Sequence, residues 1–371
     1  MQATPWYQIN DLSQVDTPAL VIYPARVRQN IDALVGSIDD VNRLRPHVKT
    51  HKTREATQLM LDAGIWKFKC ATIAEAEMLA QCGAPDVLLA YQPNGVKINR
   101  LLALMKAYPE TEFSCLVDNL DTATELSEQV TAAGLVISVY VDLNVGMDRT
   151  GIAPDENVLV LYAALDDLEG IRLVGLHAYD GHIRHPDIAI RTEQCDAAFG
   201  PVRQLSDRLT ELGFTQPIIV AGGSPTFPVH ARRADVECSP GTFVYWDKNY
   251  QAALSEQPFQ IAALVVARVI SLPSPTKLCL DLGHKSVAAE CELGQRVTFL
   301  NAPDLLAAGQ SEEHLVVDAG EGHSYRVGDV LYGSPNHICP TCALYERGFT
   351  VEDGRVTGEW QTVSRDRILT Y

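Results

Sequence analysis

Between residues 19 and 220, short apolar runs rich in β-branched residues alternate with longer amphipathic stretches, and no tight hairpin signal separates them. The runs read as strands at 19–23, 45–49, 67–71, 87–90, 112–117, 137–142, 172–177 and 217–220. The intervening stretches read as helices: residues 74–82 carry Ala, Glu, Met and Leu, and residues 120–133 open after the capping pair Asp118-Asn119. Strand, helix, strand without a hairpin requires parallel pairing through right-handed crossovers. Eight such units close most simply as a (β/α)8 barrel, an α/β fold for which an open doubly wound sheet is the alternative. Chemistry in a barrel sits at the C-terminal ends of its strands. There the sequence offers Lys49, Thr72, Tyr91, Asp118, Asp142 with Asn144, His177 with Tyr179, and Gly222-Gly223-Ser224.

Beyond residue 250 the texture changes. Runs at 261–271, 277–281, 295–301, 314–318, 329–332 and 349–352 are short, β-branched and separated by Gly, Pro and Asp, which reads as an antiparallel β domain. The expected division is 15–250 for the barrel and 1–14 plus 251–371 for the β domain, on which the N-terminal segment docks as a strand. A chain of 371 residues exceeds the usual single core, in keeping with two domains.

Composition narrows the function. The hydrophobic fraction of 46% and charged fraction of 21% are those of an ordinary soluble protein. No apolar run is long enough to span a bilayer and no leader pattern opens the chain, so no membrane partner is expected. A formal net charge of -17 repels phosphate backbones and argues against nucleic-acid binding, while leaving room for a local basic pocket that holds one phosphate. Nine irregularly spaced cysteines suit reduced thiols in a cytoplasm.

Four segments carry candidate chemistry. In Arg45-Pro46-His47-Val48-Lys49-Thr50-His51-Lys52, basic neighbours crowd Lys49. They lower an amine's proton affinity, and an uncharged amine is what a carbonyl cofactor needs for a Schiff base. The same residues also suit a basic surface strand end. The run Val220-Ala221-Gly222-Gly223-Ser224-Pro225-Thr226 can ring a phosphate with backbone N–H and hydroxyl groups, and Ser239-Pro240-Gly241-Thr242 can complete that cradle. Residues 141–151 present Arg149 on a polar loop, and Gly175-Leu176-His177-Ala178-Tyr179-Asp180-Gly181-His182 brings two imidazoles and a phenol to a strand end. In His337-Ile338-Cys339-Pro340-Thr341-Cys342, His337 and Cys339 alternate by two, so on an extended segment they face one way. Imidazole and thiolate suit zinc, and two ligands leave positions for water or substrate. Cys342 reads as a third ligand or as a core cysteine.

Together these residues resemble the fold-type III pyridoxal phosphate enzymes, in the D-threonine aldolase and D-serine dehydratase branch related to alanine racemase. The likeness runs in order over nearly the whole chain, through Asp16-Thr17-Pro18-Ala19-Leu20, the Lys49 segment, the Gly-Gly-Ser-Pro-Thr turn and His337-x-Cys339. It implies that Lys49 carries pyridoxal phosphate and moves the Cα proton. Gly222, Gly223, Ser224 and Thr226, with Gly241 and Thr242, then hold the phosphate. Arg149 stands beside the cofactor's phenolic oxygen and Tyr179 near its pyridine ring, which makes Lys49, Arg149 and Tyr179 the catalytic candidates. His177 stands where the branch often has Gln, so a ring-nitrogen role for it stays open. His337 and Cys339 hold a divalent metal, zinc by ligand type, and a homodimer is implied.

A metal at the β-hydroxyl of a D-amino acid can expel hydroxide, giving a keto acid and ammonia, or acidify the hydroxyl so that Cα–Cβ cleaves to glycine and an aldehyde. Dehydratase members resembling this chain show His-x-Cys and aldolase members His-x-Asp. Cys339 therefore points to dehydration of a β-hydroxy-D-amino acid such as D-serine or D-3-hydroxyaspartate, with D-threonine aldolase-type cleavage as the alternative. Racemisation gives the metal no role. A non-catalytic pyridoxal phosphate carrier lacks the β domain and the His-x-Cys element. A sugar-phosphate barrel enzyme without pyridoxal is colourless, which separates it by absorbance.

Overall fold

In a computed structural model that describes residues 5–371, the chain forms two units. One takes the chain up to Asp32, Thr50–Ala56 and Thr242–Arg365; the other takes Ala33–Lys49, Thr57–Gly241 and Asp366–Tyr371. The first strand, β1 (Ala19–Ile22), is buried along its whole length. A strand apolar on both faces belongs inside a sheet, but its own residues do not say which sheet. Residues 19–23 do not open the barrel, as the sequence led us to expect: β1 is a central strand of the other unit's sheet.

The second unit is built on a seven-stranded parallel sheet: β2 (Lys67–Cys70), β3 (Asp86–Leu89), β4 (Glu112–Val117), β5 (Ile137–Leu143), β6 (Ile171–Ala178), β7 (Ile218–Ala221) and β8 (Val236–Cys238), paired in chain order. Residues 45–49, expected as a strand, form none, because Pro46 has no N–H to give a ladder. The segment still occupies the eighth position. Leu44 bridges Cys238 at one edge of the sheet and His47 bridges Lys69 at the other. The Arg45 N–H donates to the Cys238 carbonyl at 2.9 Å and the Val48 N–H to that of Lys69 at 3.0 Å, which closes the ring. At the N-terminal ends of the strands, buried Arg45 is held by Glu237 at 2.7 Å and by Asp86, and Lys67 pairs with Glu237. Strand β8 escaped the sequence reading because it is three residues long. Its existence moves the Gly222-Gly223 turn to the end of β7 and Ser239–Gly241 to the end of β8.

Several polar strand ends turn out to be structural. Thr72 caps the helix Ile73–Gln81 by accepting the Glu75 N–H, and Asn119 caps Leu120–Ala132 by accepting the Thr122 N–H. Asp118 accepts from Gln92 and from the Gly151 N–H, and the Asn144 side-chain oxygen accepts from Gly146 and Asp148. The Tyr91 ring carries the Lys97 amine 4.9 Å from its centre, which leaves Lys49, Asp142, His177, Tyr179 and the glycine turn as the strand-end groups without such a local duty.

The first unit adds β9 (Ala263–Ser274), β10 (Lys277–Leu280), β11 (Val297–Phe299), β12 (Leu306–Gln310), β13 (Leu315–Asp318), β14 (Val330–Pro335), β15 (Arg347–Glu352) and β16 (Arg355–Gln361). Its sheet runs β12-β13-β10-β9-β1-β15-β16, with β14 also on β9 and β11 on β14. All pairs are antiparallel except β1 with β15. Val265, Ala267, Leu278, Leu280, Leu315, Val317 and Leu331 build one core cluster; Val21, Leu264, Val266 and Tyr332 build a second. Ile9 and Val15 join the second cluster without forming a strand, so of the expected N-terminal strand residues 5–14 form none and residues 1–4 lie outside the described residues. The alanine- and glycine-bearing β12 and the polar edge strand β16 lack the apolar alternation that marks a strand in sequence. No helix among the described residues is long and apolar enough to cross a membrane.

Candidate active site

In the parallel unit, three cations converge on one phenol ring. The Lys49 amine lies 5.7 Å from the centre of the Tyr179 ring, and the Arg149 guanidinium lies 4.8 Å from it. The third is Lys69, a residue the sequence reading passed over, whose amine is also 5.7 Å from that ring. Lys69 is 2% exposed and reaches His177 Nε2 at 3.4 Å; His177 Nδ1 meets Asp142 at 2.7 Å. Burial, and then the positive charge of Lys49, push the Lys69 amine down to about 7. Burial and the Lys69 charge also lower His177, against the pull of Asp142. Asp142 is held below the ordinary carboxylate range: burial would raise it, and its hydrogen bonds with His177 and Thr150 and the neighbouring positive charge together outweigh burial. These bonds assign a neutral imidazole that donates from Nδ1 to Asp142 and accepts from Lys69 at Nε2. In the sequence, Lys69 on Lys67-Phe68-Lys69-Cys70 looks the same as Lys67, two residues before it on the same face; only the folded sheet shows that Lys67 pairs with Glu237 while Lys69 is enclosed beside His177.

The glycine turn is fitted against this cluster. Gly222 has φ +78°, and a Cβ there would lie 2.8 Å from the His230 ring and 3.1 Å from Thr226 Oγ1. A Cβ on Gly223 would come within 3.1 Å of the Tyr179 ring, and one on Gly241 within 2.8 Å of the His47 carbonyl. Ser224 Oγ accepts the Gly241 N–H at 3.3 Å, and Thr226 Oγ1 accepts the Gly223 N–H at 3.3 Å. The buried Ser239 hydroxyl, at the end of β8, has no protein partner. Close backbone, buried hydroxyls with an unsatisfied donor among them, and three neighbouring cations fit a small phosphate-bearing anion such as pyridoxal phosphate. Gly222, Gly223, Ser224, Thr226 and Gly241 are brought together with Tyr179.

In the antiparallel unit, the His337 segment is not extended. His337 is the N-cap of a short helix, Ile338–Leu344, and Cys339 lies in its first turn with Pro340, where proline is tolerated. The two side chains nevertheless hydrogen-bond each other. Thr50 Oγ1 and Thr242 Oγ1 lie 3.0 and 3.5 Å from Cys339 Sγ, so the Thr242 hydroxyl, expected at the phosphate, has the thiol as a neighbour. Glu290 holds His337 Nδ1 at 2.5 Å, and buried Asp247 accepts the Ile338 N–H at 3.3 Å. Burial pushes the Cys339 thiol up, but hydrogen bonds from His337, Thr50 and Thr242 bring it below its ordinary value. Burial lowers His337, yet Cys339, Glu290 and Asp247 raise it to about 9. A thiolate paired with an imidazole whose other nitrogen meets a carboxylate is a donor set that suits zinc. Cys342 is fully buried, with its thiol pushed well above the ordinary range, and reads as a core residue.

One further cluster of ligand types occurs among the described residues: Asp180, Cys195 and His230, all buried. It does not fit a metal. Arg233 lies 2.6 Å from His230 Nδ1, which must therefore accept, so Nε2 carries the proton and donates to Asp180 at 2.8 Å. Ligation through Nε2 would require an imidazolate.

Comparison with known proteins agrees with these features. Residues 22–249 match the family model described as alanine racemase, N-terminal domain, and residues 262–351 match that of the putative serine dehydratase domain. A D-threonine aldolase from Arthrobacter sp. is 31% identical over 361 residues, covering 95% of this chain and 94% of that protein. A D-threo-3-hydroxyaspartate dehydratase from Delftia sp. is 25% identical, over 90% of this chain and 93% of its own. The solved D-threonine aldolase from Filomicrobium marinum superposes with a TM-score of 0.88 at 26% identity, over the whole of both chains. Family matches that follow one another along the chain, and a relative alike over almost all of it, lead to one assignment: this chain belongs to the D-threonine aldolase and D-serine dehydratase family of fold-type III pyridoxal phosphate lyases.

Proposed function

We propose that this chain is a pyridoxal phosphate- and divalent-metal-dependent lyase that dehydrates a β-hydroxy-D-amino acid, of the D-serine or D-3-hydroxyaspartate type, to a keto acid and ammonia. The observation that carries this reading is the His337–Cys339 pair, a sulfur and an imidazole hydrogen-bonded to one another with Glu290 on the imidazole. When bound, pyridoxal phosphate supplies the electron sink for a carbanion at the substrate Cα. Lys49 supplies the amine that carries the cofactor and then moves the Cα proton. Gly222, Gly223, Ser224, Thr226, Gly241 and Thr242 form the phosphate cradle, while Tyr179 and Arg149 orient the ring. His337 and Cys339 hold a metal, zinc by ligand type, whose Lewis acidity serves the β-hydroxyl. The reading extends to a homodimer in the cytoplasm acting on a small D-amino acid, without nucleic-acid or membrane partners. Support comes from the net charge of -17 and from nine irregularly spaced cysteines.

A second reading, cleavage of Cα–Cβ to glycine and an aldehyde, is favoured by the 31% identical D-threonine aldolase and uses the same residues. Purified holoprotein incubated with D-serine, D-threonine and D-3-hydroxyaspartate separates the two. Ammonia with a keto acid is expected; glycine without ammonia selects cleavage, and turnover of none of the three ends both readings. Lys49→Ala should abolish visible absorbance and turnover, whereas Lys69→Met should keep the colour. The reverse pattern would move the covalent link to Lys69.

A further inference from the structure

Behind the Gly222-Gly223 turn lies a continuous chain of hydrogen bonds that no step above uses. Thr226 Oγ1 is 2.7 Å from Asp180 Oδ1. A carboxylate only accepts, so the single hydroxyl proton of Thr226 goes to Asp180, and Thr226 meets the Gly223 N–H as an acceptor at 3.3 Å. Asp180 Oδ2 takes the His230 Nε2 proton at 2.8 Å, and His230 Nδ1 accepts from Arg233 at 2.6 Å. Arg233 ends the chain in an ion pair with Asp196, whose side chain is mostly exposed. Asp180, Thr226 and His230 are all nearly inaccessible to water, and the His230 ring is the surface on which Gly222 rests. A lone carboxylate this close to an anion-binding turn would repel its ligand. Arg233, one imidazole away, supplies the compensating charge.

We propose that Asp180, His230 and Arg233 are positioning residues for the cofactor's phosphate. They commit the Thr226 hydroxyl to Asp180 and to the Gly223 N–H, so that Thr226 shapes the turn and the phosphate is met by Ser224 and the backbone. This rests on the reading of the turn as the phosphate site, and the test keeps the two apart. Apoprotein is titrated with pyridoxal phosphate and, separately, with pyridoxal, which lacks the phosphate, and the ratio of the two dissociation constants is the readout. The wild type should strongly prefer the phosphorylated form. Thr226→Val and Asp180→Asn should each weaken pyridoxal phosphate by at least about tenfold while leaving pyridoxal within about twofold. Thr226→Ser, which keeps the hydroxyl, should restore the wild-type ratio. An unchanged ratio in Thr226→Val, or an equal loss for both ligands, overturns the positioning role. A wild type that binds both ligands alike overturns the phosphate-site reading itself. Should Asp180→Asn fail to fold, Arg233→Met, at the far end of the chain, takes its place with the same expected change in ratio, and an unchanged ratio there overturns the role of the chain.

Discussion

An amine enclosed on β2 loses its water and gains a positive neighbour in Lys49, so Lys69 holds its proton weakly, at about 7 against an ordinary 10.5. Between those two values the unfolded chain binds more protons than the folded one, and stability therefore rises with pH across that window. Below it both states are protonated and the full cost of enclosing the charge is present. Lys69→Met should accordingly raise the melting temperature of the apoprotein at about pH 6 and flatten the rise that the wild type shows between about pH 7 and pH 9. Identical pH slopes for the two proteins would show that this amine is not enclosed. Lys49, Arg149, Tyr179 and the glycine pair were singled out in the sequence because each stands in a short polar or glycine-bearing run after an expected strand. Lys69 and Asp247 were not, since their special character comes from burial among residues distant in the chain. Thr72 erred in the other direction: it looked like part of a reactive rim and is a helix cap.

The turn after β7 concentrates its requirements at Gly222. A side chain there meets a left-handed backbone, at φ +78°, and the His230 ring at 2.8 Å. Gly222→Ala should cost about 1–3 kcal/mol of stability and lower cofactor affinity as well; a variant that melts like the wild type would show that the turn yields. The segment 44–48 matters for another reason. It bridges both edge strands of the parallel sheet, and Arg45 within it is 1% exposed between Glu237 and Asp86. Arg45→Met leaves Asp86 without its partner and Glu237 with Lys67 alone, and should destabilise by roughly 3–5 kcal/mol, read by denaturant unfolding. At this scale the alternation of strand and helix was readable from apolar spacing, and six of the eight expected barrel strands (67–71, 87–90, 112–117, 137–142, 172–177 and 217–220) lie on β2–β7. The irregular form of segment 45–49, the sheet that β1 joins, and β8 itself were not readable. A proline-broken segment, a strand buried on both faces and a three-residue strand carry no local mark of the sheet they join.

Across the whole molecule the two sets of candidate ligands belong to different units. Lys49, Arg149, Tyr179 and the glycine turn lie in the parallel one; His337 and Cys339 lie in the antiparallel one. Removing a metal from the second set should leave the first able to bind. A strong chelator is therefore expected to abolish turnover while the visible absorbance persists, and His337→Ala should reproduce this. Full activity in protein shown by elemental analysis to be metal-free would eliminate the Lewis-acid role. The family was legible at this scale because four short segments keep their order over the chain. The choice between elimination and carbon–carbon cleavage was not, because the residues that would hold the cofactor and the metal serve both.

Strand β1 also has a bearing on how the gene can be cut. Its hydrogen-bonding neighbours, β9 and β15, are both encoded after residue 262. A shortened protein ending at residue 249, where the alanine racemase-like match stops, would carry Ala19-Leu20-Val21-Ile22 with both margins open and greasy on each side. Such a piece is a template for stacking with its own copies, and expression of it should yield inclusion bodies rather than a free-standing cofactor module.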